Sequence, residues 1–173
     1  GGRNNALKKF KNKDSVNNLL FTESSTELSP YIKFGCVSIR EVYFKYIKNQ
    51  NIVRQLIWRD FYYNLGYNYN VFNTSFKKKY NKIKWSKNKE HFKLWTQGQT
   101  GYPLIDAIMR QLNKTGYISN RARLLTASFL IKNLFQNWLL GEKYFANKLI
   151  DYDPLVNIGN WQWVAGSGAD SMP

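Results

Sequence analysis

The residues best suited to chemistry are concentrated in one segment, residues 151–163 (DYDPLVNIGNWQW). It combines two carboxylates, the amide of Asn157 and two indoles in a chain that is otherwise rich in lysine. Carboxylates and amides orient a ligand through hydrogen bonds, and indole rings stack on aromatic groups. Plainer interpretations stand beside this one, because an acid such as Asp151 can form a structural salt bridge and a single tryptophan usually packs in a core.

The sequence contains no motif for hydrolytic or phosphoryl-transfer chemistry. It has no G-x-S-x-G elbow, no Walker loop, no H-E-x-x-H and no Cys/His pair. The single cysteine, Cys36, excludes an internal disulfide and a cysteine-based zinc site. The one histidine, His91, has no partner at metal-ligand spacing, so we expect no metal site.

The charge of the chain is strongly positive. Its 26 Lys and Arg against 11 Asp and Glu give a formal net charge of +15, which attracts polyanions such as nucleic acid. Abundant Lys and Asn are also what an A-rich coding sequence produces without selection for binding. No apolar run approaches the roughly 20 residues that cross a bilayer, so we expect a soluble, intracellular protein without a membrane partner.

The hydrophobic pattern predicts an all-α protein. Residues 1–27 are polar and weakly periodic and are interpreted as a linker, whereas residues 28–173 are expected to form the helical domain. Ser29 and Pro30 predict a helix N-cap followed by Pro at the first helical position, and Ser38 with Glu41 predicts a capping box. Apolar residues at helical spacing predict a helix that ends near Gly66; they are Ile52, Leu56, Ile57, Phe61 and Leu65.

The second half of the sequence predicts two further helices. One lies between Pro103 and Gly116, with an apolar stripe of Leu104, Ile105, Ile108 and Leu112. After a cap at Ser119, the spacing predicts a long core helix through Ala127, Leu130, Ile131, Leu134, Phe135 and Trp138. Between these halves, residues 76–93 carry eight lysines against one acid, a pattern typical of a solvated face.

Four dense blocks carry a family resemblance. They are LSPYIKFGCVSIRE from Leu28, LIWRDFYYNL from Leu56, TGYPLIDAIMRQLNKTGYISNRARLLTASFL from Thr100 and DYDPLVNIGNWQWVAGSGAD from Asp151. Together they resemble the FAD-binding domain of the DNA photolyase and cryptochrome family, in that family's order and over nearly the whole chain. The resemblance implies a multihelical FAD-binding domain with a folded FAD at its centre and a mouth that faces DNA.

The resemblance also implies which residues contact FAD. The hydroxyls before the first helix of the domain resemble the diphosphate site, and Arg123 with Asp151 and Asp153 matches positions beside the flavin ring and ribityl chain. The implied cofactor-binding residues are Ser25, Thr26, Glu27, Leu28, Ser29, Arg59, Asn120, Arg123, Asp151, Tyr152, Asp153 and Asn157. Asn157 matches the residue at the reactive N5 edge, where Asn is typical of photolyases.

Electron transfer and DNA binding are implied for two further sets of residues. Trp161, Trp138 and Trp85 match the family's tryptophan chain, along which an electron hops between the flavin and the surface. With Asn157 they are the implied catalytic residues. Trp58 and Trp163 resemble the aromatic walls around a flipped pyrimidine dimer. The implied DNA-binding residues are Gln55, Trp58, Arg59, Tyr62, Asn120, Arg121, Leu124 and Trp163.

The resemblance leaves three functions open. The leading one is a light-driven photolyase that splits pyrimidine dimers in DNA. A cryptochrome-type photoreceptor without repair activity is the second, and a split or decayed remnant that binds DNA by charge alone is the third. Gln55 stands where many cyclobutane-dimer photolyases have Glu, and Leu124 replaces a frequent Met, so the damage type stays open. Relatives carry an N-terminal antenna domain and continue past residue 173, so the sequence is interpreted as truncated, with the antenna half as an expected partner.

Overall fold

The computed structural model describes residues 2–12 and 25–169, and this part of the chain is helical without a strand. The α-helices are α1 (Gly2–Asn12), α2 (Ser29–Lys33), α3 (Ile39–Lys45), α4 (Gln50–Asn68), α5 (Lys89–Gln97), α6 (Pro103–Thr115), α7 (Asn120–Ser128), α8 (Trp138–Lys148) and α9 (Pro154–Val164). A 3₁₀ turn spans Lys78–Lys82 and a π-helical turn spans Phe129–Asn133. The all-α prediction is confirmed.

Two compact units divide the chain, Gly1–Asn64 and Leu65–Pro173. The core of the first unit consists of Ala6, Leu28, Val37, Val42, Tyr46 and Ile52. The second unit has the larger core, and its fully buried side chains include Trp95, Met109, Leu112, Ile118, Leu130 and Phe145. The predicted boundary at residues 27 and 28 stays a prediction. None of the described helices is long and apolar enough to span a membrane.

Two helix starts were predicted in the first unit, and the structure confirms one of them and contradicts the other. The Ser38 hydroxyl accepts the Glu41 N–H at 3.1 Å, and the Glu41 carboxylate accepts the Ser38 N–H at 2.8 Å, which confirms the capping box. The predicted N-cap at Ser29 is wrong by one residue, because α2 begins at Ser29 and Leu28 is its N-cap without a side-chain bond. Leu28 is 1% exposed, so core packing fixes this start.

Helix α6 begins and ends as predicted, and its apolar stripe faces the core. Ile105, Ile108 and Leu112 are buried with Met109, whereas Leu104, expected in the stripe, is 42% exposed. Gly116 closes the helix at φ +68, where a Cβ would approach the Lys148 carbonyl oxygen to 3.0 Å.

The loop before α6 is held by a buried carboxylate. Asp106 accepts hydrogen bonds from the Thr100 N–H at 2.7 Å, the Thr100 hydroxyl at 2.6 Å and the Gly101 N–H at 3.0 Å. Burial alone would raise the pKa of Asp106, but these bonds outweigh it and lower the pKa below its ordinary value. This part of the TGYPLID block is therefore structural.

We expect Asp106→Asn to destabilise the protein by about 2 kcal/mol near neutral pH, because an amide cannot accept all three bonds. Because the pKa of Asp106 is lower in the folded than in the unfolded chain, the ionised carboxylate stabilises the folded protein above the unfolded pKa of about 4. This stabilisation is lost as the pH falls through the folded pKa. Urea unfolding at about pH 7 and about pH 3 should therefore show the difference from the parent shrinking in acid. Glu90→Gln, at an exposed acid of the same unit, is the control and should change little.

The long core helix predicted through residues 127–138 is wrong. α7 ends at Ser128, the π-helical turn follows, and the chain breaks before α8 starts at Trp138. Phe135 has a left-handed φ of +52 and is 50% exposed, and the Asn137 side chain caps α8 through the Leu139 N–H at 3.0 Å. The Gln136 amide donates to the Asn88 carbonyl at 3.1 Å, so a tertiary contact stabilises the break over a local helical pattern.

Candidate cofactor site

An open concavity lies among α7, α8, α9 and the turn before α9. It has about 510 Å³ of space including its mouth. Several side chains predicted to hold a cofactor line it: Asn120 and Arg123 from α7, residues 151–153 from the turn, and Asn157 from α9. Leu124, predicted to contact DNA, and Trp161, predicted to transfer electrons, line it as well. The second unit thus brings together residues that are up to about 40 positions apart in the sequence.

Arg123 and Asp151 form a charged pair at the wall of this site. One guanidinium nitrogen of Arg123 lies 2.9 and 2.8 Å from the two carboxylate oxygens of Asp151, and its Nε donates to the Ile118 carbonyl at 3.1 Å. The Asp151 side chain is 2% exposed and the Arg123 side chain 24%. A carboxylate this deeply buried needs a cation beside it, so each side chain fixes the other at the wall of the concavity.

Asp153 has a structural role, and its predicted contact with a flavin stays a prediction. Its carboxylate accepts the Val156 N–H at 3.3 Å as the N-cap of α9, and Pro154 follows in the first turn. The cap fixes where α9 begins and therefore where Asn157 and Trp161 face.

A buried acid that the sequence interpretation missed orients Asn157. The Asn157 amide nitrogen donates to Glu142 Oε1 at 3.1 Å, and the Tyr152 hydroxyl donates to the same oxygen at 3.0 Å. Glu142 therefore holds the amino end of the Asn157 amide, which leaves its carbonyl oxygen to accept from a ligand N–H. The sequence does contain one sign of this role: Glu142 is three positions from the apolar residues Leu139 and Phe145, a spacing that places an acid on the apolar side of a helix.

The Tyr152 hydroxyl is a donor over the whole physiological range. Burial first, and then the negative charge of Glu142, raise the pKa of Tyr152 to about 12. The phenol therefore stays protonated and keeps its bond to Glu142.

The three predicted relay tryptophans belong to one core. Trp161 is 2% exposed and Trp138 is 3% exposed, whereas Trp85 is partly buried against the same cluster. Gly141 leaves room for the Trp161 ring against α8, because a Cβ at this position would lie 2.2 Å from the indole. Trp85 is thus the most exposed of the three rings, and the relay itself stays a prediction.

Trp95 is a fourth indole of this core that the sequence interpretation did not assign. It is 0% exposed, its ring meets Trp161 edge to face at 6.3 Å, and its N–H donates to the Thr126 carbonyl at 3.1 Å. Its spacing from Phe92 on α5 is typical of core packing. Trp95 is therefore a natural comparison for Trp161.

Gln162, between the two indoles of the NWQW string, also has a structural role. Its amide nitrogen donates to the Val71 and Thr74 carbonyls at 2.9 Å each, and its amide oxygen accepts the Phe76 N–H at 2.9 Å. The side chain is 2% exposed, and these three bonds tie residues 71–76 to α9.

Most of the remaining predicted residues of the second unit are exposed to solvent. Trp163 is 43% exposed, Asn120 and Arg121 are exposed, and Leu124 is half-buried. Trp163 and Arg121 therefore present a stacking surface and a cation that a large ligand can reach.

In the first unit, the predicted phosphate-binding hydroxyls take part in a local turn. The Ser25 hydroxyl accepts the Glu27 N–H at 3.2 Å, and the Thr26 hydroxyl accepts the Leu28 N–H at 3.4 Å. The Glu27 carboxylate pairs with Lys9. These residues are ordered before α2 by their own bonds, and their role toward a phosphate stays a prediction.

The predicted DNA-binding residues of the first unit lie along α4. Trp58 is 45% exposed and stacks on Tyr62 at 6.0 Å, whereas Tyr62 itself is only 5% exposed. The Arg59 guanidinium lies 4.2 Å from the Tyr63 ring, and Gln55 is exposed. The buried Tyr62 ring therefore packs against the exposed Trp58 ring.

Comparison with known proteins identifies similar chains. A family model described as the FAD binding domain of DNA photolyase matches residues 52–173. The deoxyribodipyrimidine photo-lyase of Buchnera aphidicola subsp. Baizongia pistaciae is 44% identical over 94% of this chain and 37% of its own length. The enzyme of that name from Alkalihalophilus pseudofirmus is 41% identical over 86% and 33%. This chain therefore spans about a third of the length of these relatives.

Solved structures match the fold closely. An archaeal photolyase from Sulfolobus tokodaii, described with two FAD molecules, superposes with a TM-score of 0.91 at 45% identity, covering 99% of this chain and 41% of its own. The cryptochrome of Synechocystis superposes with a TM-score of 0.85 at 34% identity, covering 100% and 40%.

Proposed function

The chain belongs to the DNA photolyase and cryptochrome family, and on that premise we propose that it binds FAD and acts in the light-driven repair of pyrimidine dimers in DNA. The observation that carries the proposal is the meeting of the Arg123–Asp151 pair with the Asn157 amide at one concavity. Charged and amide groups placed this way can recognise a flat, polar-edged ring.

The residues present fit a flavin. The wall offers a carboxylate and a guanidinium for ring oxygen and nitrogen atoms, the Asn157 carbonyl for a ring N–H, and the apolar Leu124 and Val156 for the ring faces. When bound, FAD would absorb blue light and, in its reduced form, supply the electron for dimer splitting. Glu142 keeps Asn157 in the orientation that this contact needs.

The three tryptophans would supply the route by which electrons reach the site. With FAD bound, Trp161 would be the indole that gives an electron to it, and Trp138 and then Trp85 would restore the inner rings, so that the oxidised ring would be left at Trp85. Trp161 and Trp138 are buried and Trp85 is partly buried against the same core, which supports Trp85 as the outer end of the route. Each transfer between two indoles would move one electron from a neutral ring to an oxidised one.

Exposed residues and net charge support DNA as the substrate. The formal charge of +15 favours phosphate contacts, and Trp163 and Trp58, each exposed in its own unit, can stack on an extruded base. A DNA substrate implies an intracellular protein. The damage type stays open, and the antenna half expected from the resemblance stays a prediction.

Repair by the chain itself tests this function. We expect the chain, loaded with FAD, chemically reduced and illuminated with blue light, to restore thymine-dimer DNA or (6-4) DNA, with no restoration in the dark. A mock-irradiated duplex is the control for binding. Flavin bound without repair of either lesion would contradict the repair function.

A photoreceptor without repair activity is the second candidate, and the similarity to the Synechocystis cryptochrome supports it. It predicts light-driven flavin reduction through the tryptophans without repair. Efficient dimer splitting would exclude it as the primary activity.

A further inference from the structure

The function proposed above uses Trp85 but does not explain the lysines on either side of it in residues 76–93, here called the basic segment. It carries eight lysines and one acid, Glu90. Seven of the lysines are exposed: Lys78, Lys79, Lys82, Lys84, Lys87, Lys89 and Lys93. The Glu90 carboxylate lies 3.8 Å from the Lys93 ammonium, so the acid of the segment pairs with a lysine at its C-terminal end. Exposed lysines in this density produce a positive potential over the surface.

The backbone of the basic segment is fastened to the core on both sides of Trp85. Before Trp85, the Phe76 N–H donates to Gln162 and the Lys77 N–H to the Ser167 carbonyl, each at 2.9 Å. After it, the Ser86 N–H donates to the Phe135 carbonyl at 2.9 Å, and the Asn88 carbonyl accepts the Gln136 amide at 3.1 Å. The backbone that carries the lysines on either side of Trp85 is therefore fixed to the core.

Trp85 connects the basic segment to the core. Its ring packs at 5.3 Å from the exposed Phe135 ring, and Lys84 and Lys87 are its neighbours one and two positions away in the sequence. In the proposed relay, Trp85 is the outermost indole, so an oxidised Trp85 needs an electron from outside the protein. Small cellular reductants such as ascorbate are anions near neutral pH.

We propose that the basic segment is a docking site for small anionic one-electron reductants, which it concentrates at Trp85. This inference rests on the relay proposed above. The reductant gives one electron to the oxidised indole, which returns to the neutral ring. With ascorbate, the monoanion leaves as the ascorbyl radical after it loses its proton to water.

The size of the effect follows from Coulomb's law. One charge at roughly 10 Å in water changes the local concentration of a monoanion about twofold at low salt. Removal of two lysine charges should therefore lower the local concentration of a monoanion at Trp85 about fourfold. Salt at about 0.1 M has a Debye length of about 10 Å and should remove most of the difference.

Iodide quenching of Trp85 fluorescence tests the docking site in the full chain before flavin is added. The Trp85 signal is the difference between each protein and its Trp85→Phe counterpart. We expect Lys84→Gln/Lys87→Gln to lower the iodide quenching constant about fourfold at low salt and to leave quenching by neutral acrylamide unchanged. The control Lys114→Gln/Lys143→Gln carries the same charge change on α6 and α8 and should behave like the parent. Equal iodide quenching in all three would overturn the proposal.

Electron delivery is measured in the FAD-loaded chain by transient absorption of the oxidised tryptophan. We expect ascorbate to restore the tryptophan about fourfold more slowly in Lys84→Gln/Lys87→Gln, and neutral hydroquinone to act equally on both proteins. Unchanged ascorbate rates with intact tryptophan oxidation would overturn the docking site alone. Absence of any oxidised tryptophan would overturn the relay, and the docking site with it.

Undamaged duplex DNA tests whether the basic segment is a DNA contact instead. The basic segment would be a DNA contact if one equivalent of a short duplex abolished iodide quenching of Trp85, and the reductant proposal would then be overturned. We expect such DNA to leave the quenching of Trp85 unchanged.

Discussion

Replacement of Arg123 by Leu should abolish FAD retention and lower the free energy of unfolding by about 3–5 kcal/mol, because it leaves a buried carboxylate without its cation. The Asp151 side chain is 2% exposed and has the Arg123 guanidinium 2.8 Å away. Urea unfolding and the flavin-to-protein ratio after desalting measure the two effects. This is the largest loss of stability that we expect from a single substitution in the site.

The double variant Arg123→Leu/Asp151→Leu separates binding from folding. Removal of both charges leaves no orphaned ion, so part of the lost stability should return, whereas FAD should still be absent. Recovery of both stability and FAD would contradict a role of the pair in flavin binding.

Replacement of Trp161 by Phe should slow light-driven reduction of the bound flavin roughly a hundredfold, equivalent to about 3 kcal/mol of barrier. Phenylalanine fills much of the space beside Gly141, but its ring is far harder to oxidise than an indole. Repair by flavin that has been reduced chemically beforehand should persist, because that reaction does not need the relay. Flash photolysis and a repair assay on the same preparation measure both outcomes.

Trp95→Phe is the matched control for this substitution. Trp95 is as deeply buried as Trp161 and lies 6.3 Å from it, but the proposed relay does not include it. We expect photoreduction close to that of the parent. An equal loss in both variants would contradict the assigned route.

The sequence predicted those parts of the fold that local chemistry determines. The Ser38–Glu41 capping box and the helix from Pro103 to Gly116 follow from short-range bonds and from a glycine at positive φ, and the structure has them. The break at Phe135 could not be predicted this way, because the Gln136 contact with Asn88 depends on residues 48 positions apart. The start of α2 differed for a similar reason, since the burial of Leu28 fixes it.

Within the candidate site, motif spacing located the residues of the wall but not their supports. Arg123, Asp151 and Asn157 belong to dense sequence blocks, and the structure brings them to one concavity. Glu142 and Gln162 act through buried hydrogen bonds to distant residues, which no local sequence pattern indicates. Glu142 is followed by Lys143, so in the sequence it resembles a surface acid. Its buried position becomes clear only from the packing of α8 against α9.

The visible spectrum of the purified chain after incubation with FAD and desalting tests directly whether the concavity holds the flavin. We predict about one flavin per chain, with absorption at about 450 nm, and no retained flavin in Arg123→Leu/Asp151→Leu. A chain that retains no flavin, or a double variant that retains as much as the parent, would contradict the assignment of this concavity as the flavin site.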